Sequence, residues 1–266
     1  MIAIIGGTGV YDARLLDDVR ERVIKTPFGE TRVKTGVYHG KECAFLARHG
    51  YAHTVPPHLV NYRANIWALA SLDVEAVFAT AAVGSLNLDM PPGCFVVVDQ
   101  FIDMTSGRPS TFFEGGETGV VHTDFTEPYC PSLRALLARS LDELGIRYHE
   151  GGTYVCTNGP RFETPAEIRA YRILGADLVG MTNVPEVVLA REAGLCYGLV
   201  AMVTNYAAGI STEPLTHEEV LDVMNENQSA LQRLLAECVK HFPSEKGCIC
   251  RLSGVHFRNI WLCERK

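Results

Sequence analysis

Gly152-Thr-Tyr-Val-Cys-Thr157, Pro165-Ala-Glu-Ile-Arg-Ala-Tyr-Arg-Ile-Leu174-Gly175, Asp177-Leu-Val-Gly-Met181, Pro185-Glu-Val-Val-Leu-Ala-Arg-Glu-Ala193-Gly194 and Cys196-Tyr-Gly-Leu-Val-Ala-Met-Val-Thr204 follow one another along the chain. The first, third and fifth are apolar runs of strand length. The second and fourth open on proline and stop at glycine, as helices do. Strands alternating with helices are the pattern of a parallel sheet covered by helices. Outward from this stretch the same punctuation recurs. Ile2 to Ile5 reads as a buried strand closed by Gly6-Gly7-Thr8-Gly9, and residues 31–47 read as a hairpin around His39-Gly40-Lys41. Tyr62 to Leu72 reads as a helix, and Glu75 to Ala82 and Cys94 to Asp99 as strands. Ser132 to Leu144 and His217 to Lys240 read as helices. The expected fold is a single-domain α/β sandwich over residues 1–242, with a mixed, mostly parallel central sheet flanked by helices. Residues 243–266 lack clear periodicity and form a tail. Residues 103–130 are the longest irregular stretch, a length that is usually functional or in contact with a partner.

The composition allows a globular enzyme. Of 266 residues, 47% are apolar and 21% charged, and no apolar run is long enough to span a membrane. The N-terminus, Met1-Ile-Ala-Ile-Ile5-Gly6, reads as a first strand and not a signal peptide. Nine cysteines without a secretory signal imply a reducing, cytoplasmic setting, and an odd count argues against a complete disulfide framework. The net charge of −7 disfavours nucleic acid as a partner, while leaving room for a small anion held by local donors.

Several clusters can carry chemistry. The loop Gly6-Gly7-Thr8-Gly9 can cradle phosphate through backbone N–H groups and a hydroxyl; a tight turn without a ligand is the alternative. A dinucleotide fingerprint would need a third glycine and a following strand ending in an acid, and Pro27 and Gly29 break the segment where it should lie. Arg48-His49, at the end of the strand from Cys43 to Ala47, can form charge-assisted hydrogen bonds to a dianion. His49, His53 and His58 share a loop but match no metal-binding spacing, so no metal is expected there. The small residues from Ala79 to Ser85 let a ligand approach the main chain. In Asn158-Gly-Pro-Arg-Phe162-Glu163-Thr164, Phe162 can stack on a purine and Glu163 can accept a ring N–H. The same two residues also read as a core ring and a helix-capping acid. Met181-Thr182 and Thr204-Asn205 end strands where side chains can meet a ligand.

With these motifs in this order, residues 1 to 240 resemble the trimeric purine nucleoside phosphorylases and methylthioadenosine phosphorylases. The resemblance implies a purine nucleoside and inorganic phosphate as substrates, giving free base and pentose 1-phosphate without a cofactor. It also implies that Thr8, Arg48, His49, the backbone at Ala82, and Thr182 hold phosphate. Met181 would lie under the ribose, and Phe162, Glu163 and Asn205 around the base. His122 would be lent by a neighbouring subunit in a homotrimer or a dimer of trimers, and His217 would meet the sugar's 5′ end.

Two departures from the methylthio branch point to a 6-oxopurine such as hypoxanthine or guanine. Glu163 replaces a serine, and Asn205-Tyr206-Ala207 replaces Asp-x-Asp. Glu163 can accept from the N1–H that adenine lacks, and Asn205 can donate to a 6-oxo group. Inosine or guanosine phosphorolysis is therefore expected, with methylthioinosine or methylthioadenosine as alternatives. Ala81 stands where relatives often carry a phosphate-binding threonine, a role that Thr80 can fill. Cys248-Ile249-Cys250 resembles an oxidisable Cys-x-Cys of thermophilic relatives, and equally reads as two unpaired thiols. A nucleoside hydrolase, a silent purine-binding regulator and a nicotinamide-dependent reductase are the rival classes.

Overall fold

Strands and helices alternate as the glycine and proline punctuation predicts. The computed structural model describes residues 1–7, 16–211, 217–243 and 247–258, with the backbone alone for residues 217–219. In chain order the elements are β1 (Ile2–Gly6), β2 (Asp17–Thr26), β3 (Gly29–Tyr38), β4 (Lys41–Ala47), α1 (Tyr62–Ser71), β5 (Ala76–Ser85), β6 (Phe95–Val97), β7 (Gln100–Asp103), α2 (Pro131–Glu143), β8 (Tyr148–Glu150), β9 (Thr153–Cys156), α3 (Pro165–Ile173), β10 (Leu178–Gly180), α4 (Asn183–Glu192), β11 (Cys196–Tyr206), α5 (His217–Lys240) and α6 (Cys250–Ser253). α3 shows the local logic. The Thr164 hydroxyl accepts from the Glu167 N–H, the Glu167 carboxylate accepts from the Thr164 N–H, and Pro165 fills the first helical position.

Among the described residues the strands pair in the order β2-β3-β4-β1-β5-β10-β9-β7, with β11 joined to β5 and β6, and β6 to β8. Six of these pairs are parallel and four antiparallel, so the sheet is mixed and mostly parallel as expected. β11 shows why helices must cover both faces. Leu199, Ala201 and Val203 enter one core with Ile66, Leu69 and Leu189, while Val200 and Met202 enter the other with Leu133, Leu137 and Leu235.

β2 lies outside the sequence expectation. Pro27 and Gly29 do not break a strand; they belong to the turn that joins β2 to β3. β2 is an edge strand whose residues are mostly exposed, so it carries charge instead of an apolar pattern. The tail also reaches the core. Phe257 is buried, with its ring 4.9 Å from both Trp67 and Phe112. The irregular stretch is pinned as well: Thr111 Oγ1 and the Phe112 N–H donate to the Glu192 carboxylate at 2.7 and 2.8 Å.

The sheet forks at β5. β1 pairs with β5 only as far as Ala79, and β10 joins it at Gly84 and Ser85. Residues 80–83 therefore have β11 along one edge and no described strand along the other. Backbone and side chains from several strand ends converge at this fork, as at the switch points of other α/β sheets.

Candidate active site

A cavity of about 520 Å³ opens at the fork. Its wall includes Arg48, His49, Ala82, Phe162, Glu163, Met181, Thr182 and Asn205, eight of the residues singled out in the sequence. Thr8 lies outside the described residues, as does the side chain of His217, whose backbone begins α5. His122 is exposed and does not line the cavity of its own chain.

At one end the C-terminal ends of β1 and β4 meet the middle of β5. Arg48 is buried, and its guanidinium is already engaged. Nε and Nη2 each donate to the Glu186 carboxylate at 2.7 Å, and Nη1 donates to the Thr80 carbonyl at 2.9 Å. Burial opposes the charge of Arg48, but the facing Glu186 outweighs it and holds the guanidinium more firmly protonated than usual. Glu186 has no exposed surface and also accepts from the Tyr197 hydroxyl at 2.6 Å. The network continues through Asn183, whose Nδ2 donates to Tyr197 at 3.0 Å and whose Oδ1 accepts from Tyr129. Arg48 thus reaches the cavity as half of a neutralised pair, and not as the free cation that its strand-end position suggested. Two of its five N–H donors remain for a ligand.

His49, in contrast, carries no charge at neutral pH. Burial first, then the charge of Arg48, lowers its imidazole to about 4. Nδ1 lies 2.8 Å from the Val55 carbonyl, which can only accept, so Nδ1 carries the proton and Nε2 keeps its lone pair. His53 stacks edge-on to His49 at 5.1 Å; His58 joins them in no convergent set of ligating groups among the described residues. Ala81 lines the cavity, but Thr80 does not replace the hydroxyl missing there: its Oγ1 accepts from the Gly7 N–H at 3.1 Å and it is absent from the cavity wall. Thr182 directly precedes α4, and its N–H donates to the Tyr154 hydroxyl at 3.3 Å. This packing requires Gly180, because a Cβ there would collide with the Tyr154 hydroxyl.

The other end of the cavity carries Phe162, Glu163 and Asn205. Phe162 is 41% exposed, so the core-ring reading fails and the ring borders the cavity. The capping-acid reading of Glu163 fails too, since Thr164 and Glu167 cap α3. Glu163 instead accepts from Thr157 Oγ1 at 2.7 Å, and burial raises its carboxyl above the usual range. Asn205 follows a register shift between Val203 and Asn205, which re-aims the strand end as bulges do. Its Oδ1 accepts from Thr204 Oγ1 at 2.8 Å and its Nδ2 donates to the Tyr206 carbonyl at 2.9 Å, leaving one N–H for a ligand. Gly84 permits the approach: a Cβ there would stand 3.2 Å from Asn205 Nδ2.

Arg48 and His49, an aromatic edge, a carboxylate and a carboxamide share one cavity. The sequence profile of the Phosphorylase superfamily matches residues 1–240. The chain belongs to that superfamily. It is 61% identical to the "Probable 6-oxopurine nucleoside phosphorylase" of Moorella thermoacetica over 95% of this chain and 97% of that one. It is 54% identical to the 6-oxopurine nucleoside phosphorylase of Pyrococcus furiosus, covering 94% and 96% of the two chains. A crystal structure of a methylthioadenosine phosphorylase from an antarctic soil metagenomic library superposes with a TM-score of 0.89 at 38% identity, over 96% of this chain and 90% of that one.

Sequence reasoning missed Glu186, Tyr197 and Asn183. Glu186 stands in the run from Pro185 to Ala193, and a helical glutamate carries no local mark of burial. Its role depends on a partner 138 residues away.

Proposed function

We propose that this phosphorylase cleaves 6-oxopurine nucleosides, inosine and guanosine, with inorganic phosphate, releasing the base and pentose 1-phosphate in purine salvage. The observation that carries the base assignment is the pair Glu163 and Asn205 on one cavity wall. Glu163 accepts the N1–H of hypoxanthine or guanine, and the remaining Asn205 N–H donates toward O6 and N7. Adenine offers no N1–H, so Glu163 would be left unpaired, at a cost of ~1–3 kcal/mol.

In the reaction a phosphate oxygen forms the new bond to C1′ as the bond from C1′ to N9 breaks. The bonding pair moves onto the purine, and the departing purine anion takes its proton from solvent. The transition state carries positive charge on the sugar, which the adjacent phosphate stabilises, and negative charge on the base, which Asn205 meets. The Ala82 backbone, Thr182 and the spare Arg48 donors bind phosphate, joined by Thr8, which lies outside the described residues. Because Arg48 is neutralised by Glu186, His49 matters more: its Nε2 accepts from a protonated phosphate oxygen. Met181 lies under the ribose. Phosphate is the co-substrate, and this chemistry calls on no further cofactor.

The quaternary reading is a homotrimer or a dimer of trimers, supported by the exposure of His122, which then reaches a neighbour's 5′ site. Eight described cysteines are free thiols, which favours a reducing cytoplasm. Among the described residues no helix is long and apolar enough to cross a membrane. A second reading, methylthioinosine phosphorolysis, is favoured by one observation: apolar Val220 on α5 lines the cavity near His217.

The test is turnover of inosine, guanosine, adenosine and their methylthio analogues with and without phosphate. We expect phosphate-dependent cleavage of inosine and guanosine well above adenosine. Activity persisting without phosphate would mean hydrolysis, and a preference for adenosine would overturn the base assignment. Mixing inactive Asn205→Ala and His122→Ala chains should restore activity if His122 is shared between subunits.

A further inference from the structure

Four cysteines from three parts of the chain meet far from the cavity. Cys130 precedes α2, Cys196 opens β11, Cys250 opens α6, and Cys248 lies two residues before it. Cys196 and Asn205 stand at opposite ends of β11, about 30 Å apart at ~3.3 Å per residue. The four sulfurs all lie within 4.8 Å of one another, with Cys196 and Cys248 3.4 Å apart. A tetrahedral metal with bonds of ~2.3 Å holds its sulfurs about 3.8 Å apart, so closing this cluster onto one ion takes movements of about an ångström.

The surroundings suit a charged tetrathiolate. Cys130, Cys196 and Cys250 are buried, and Cys248 is half-buried on a cleft that also exposes Arg251 and Glu75, a route for an ion. Arg191, itself buried, points Nη1 at Cys250 Sγ from 3.3 Å, and its Nε has no partner. A cation with spare donors beside neutral thiols is poorly matched; beside thiolates it offsets part of their charge. The N-terminus of α2 at Cys130 adds to that field. In the sequence only Cys248 and Cys250 are close, and a pair alone makes a poor site. The fold supplies the other two ligands.

We propose that Cys130, Cys196, Cys248 and Cys250 form a structural site for one Zn²⁺ per chain. Binding converts four thiols to thiolates and releases their protons to solvent, with no change of oxidation state. Four sulfur ligands close the coordination sphere, so the ion clips the tail to the start of β11 and leaves no position for substrate.

The deciding experiment uses the full-length protein, fully reduced and freed of metal, then titrated with Zn²⁺ and separately with Co²⁺. We expect about one metal per chain, intense sulfur-to-cobalt charge-transfer bands with tetrahedral ligand-field bands, and a higher Tm for the loaded protein. Cys248→Ser/Cys250→Ser should lose the metal and the chelator-sensitive part of Tm, with inosine turnover unchanged. Failure of the reduced wild-type chain to take up either metal overturns the proposal, even if the isolated protein has lost four hydrogens as two disulfides. Because the wild-type titration decides, a variant that fails to fold does not blur the outcome.

Discussion

Asn205→Asp tests the base reading most directly. In the wild-type site the amide uses Oδ1 to accept from Thr204 and one Nδ2 hydrogen to hold the Tyr206 carbonyl. In the proposed complex the remaining hydrogen meets the purine. Aspartate keeps the Thr204 contact, since a carboxylate oxygen accepts equally well. It loses both donors, however, and sets a negative oxygen against the Tyr206 carbonyl and against the charge developing on the leaving base. Loss of one donor aimed at a developing anion costs ~2.7–4 kcal/mol in the transition state. At ~1.4 kcal/mol per tenfold change, inosine kcat/KM should fall about 10² to 10³-fold. Losing the Tyr206 contact should lower folding stability by only ~0.5–1.5 kcal/mol, so the protein remains folded. The assay is phosphorolysis of inosine and adenosine at saturating phosphate, with Tm measured alongside. The reasoning fails if inosine kcat/KM falls by less than about threefold, or if the adenosine-to-inosine ratio does not rise.

Other consequences follow from the same geometry. Glu186→Ala removes the partner of a buried guanidinium and should lower stability by ~3–5 kcal/mol in chemical denaturation. Arg48→Ala/Glu186→Ala should lose less than the sum of the two single changes; simple additivity would refute the coupling. Burial raises the Glu163 carboxyl. Its protonated form therefore favours the folded state, a contribution present below the unfolded value of ~4.3 and lost as pH rises through the raised value. Base binding needs the ionised form, so inosine kcat/KM should fall on acidification at a higher pH than an ordinary glutamate would give. Glu163→Gln should be weaker and lack that limb; an unchanged limb would assign it elsewhere. Phe257→Ala empties a site between Trp67 and Phe112 and should cost ~3–5 kcal/mol with inosine KM unchanged. A Tm drop below about 2 °C would show that the tail does not stabilise the core.

Much of the fold was legible because it is local. Pro165 and Pro185 start helices, Gly175 and Gly194 follow their ends, and β5 and β11 are continuous apolar runs because both faces are covered. β2 was missed for the converse reason: an exposed edge strand has no core face to leave a pattern. At the site, eight of the named residues share one cavity because the strand ends and turns that carry them converge at the fork.

By itself the sequence determined the α/β alternation, the strand-end residues that share the cavity, and the Glu163–Asn205 pair proposed to read the base. Only the tertiary structure decided what those groups are in place. It neutralised Arg48 with Glu186, stripped His49 of its charge, turned Asn205 inward after the register shift, and assembled four cysteines from positions 130 to 250. The physical reason is range. Capping, turns and periodicity act over a few residues and are written locally. Burial, ion pairing and convergence depend on which distant segments the sheet brings together, and no single stretch of chain records them.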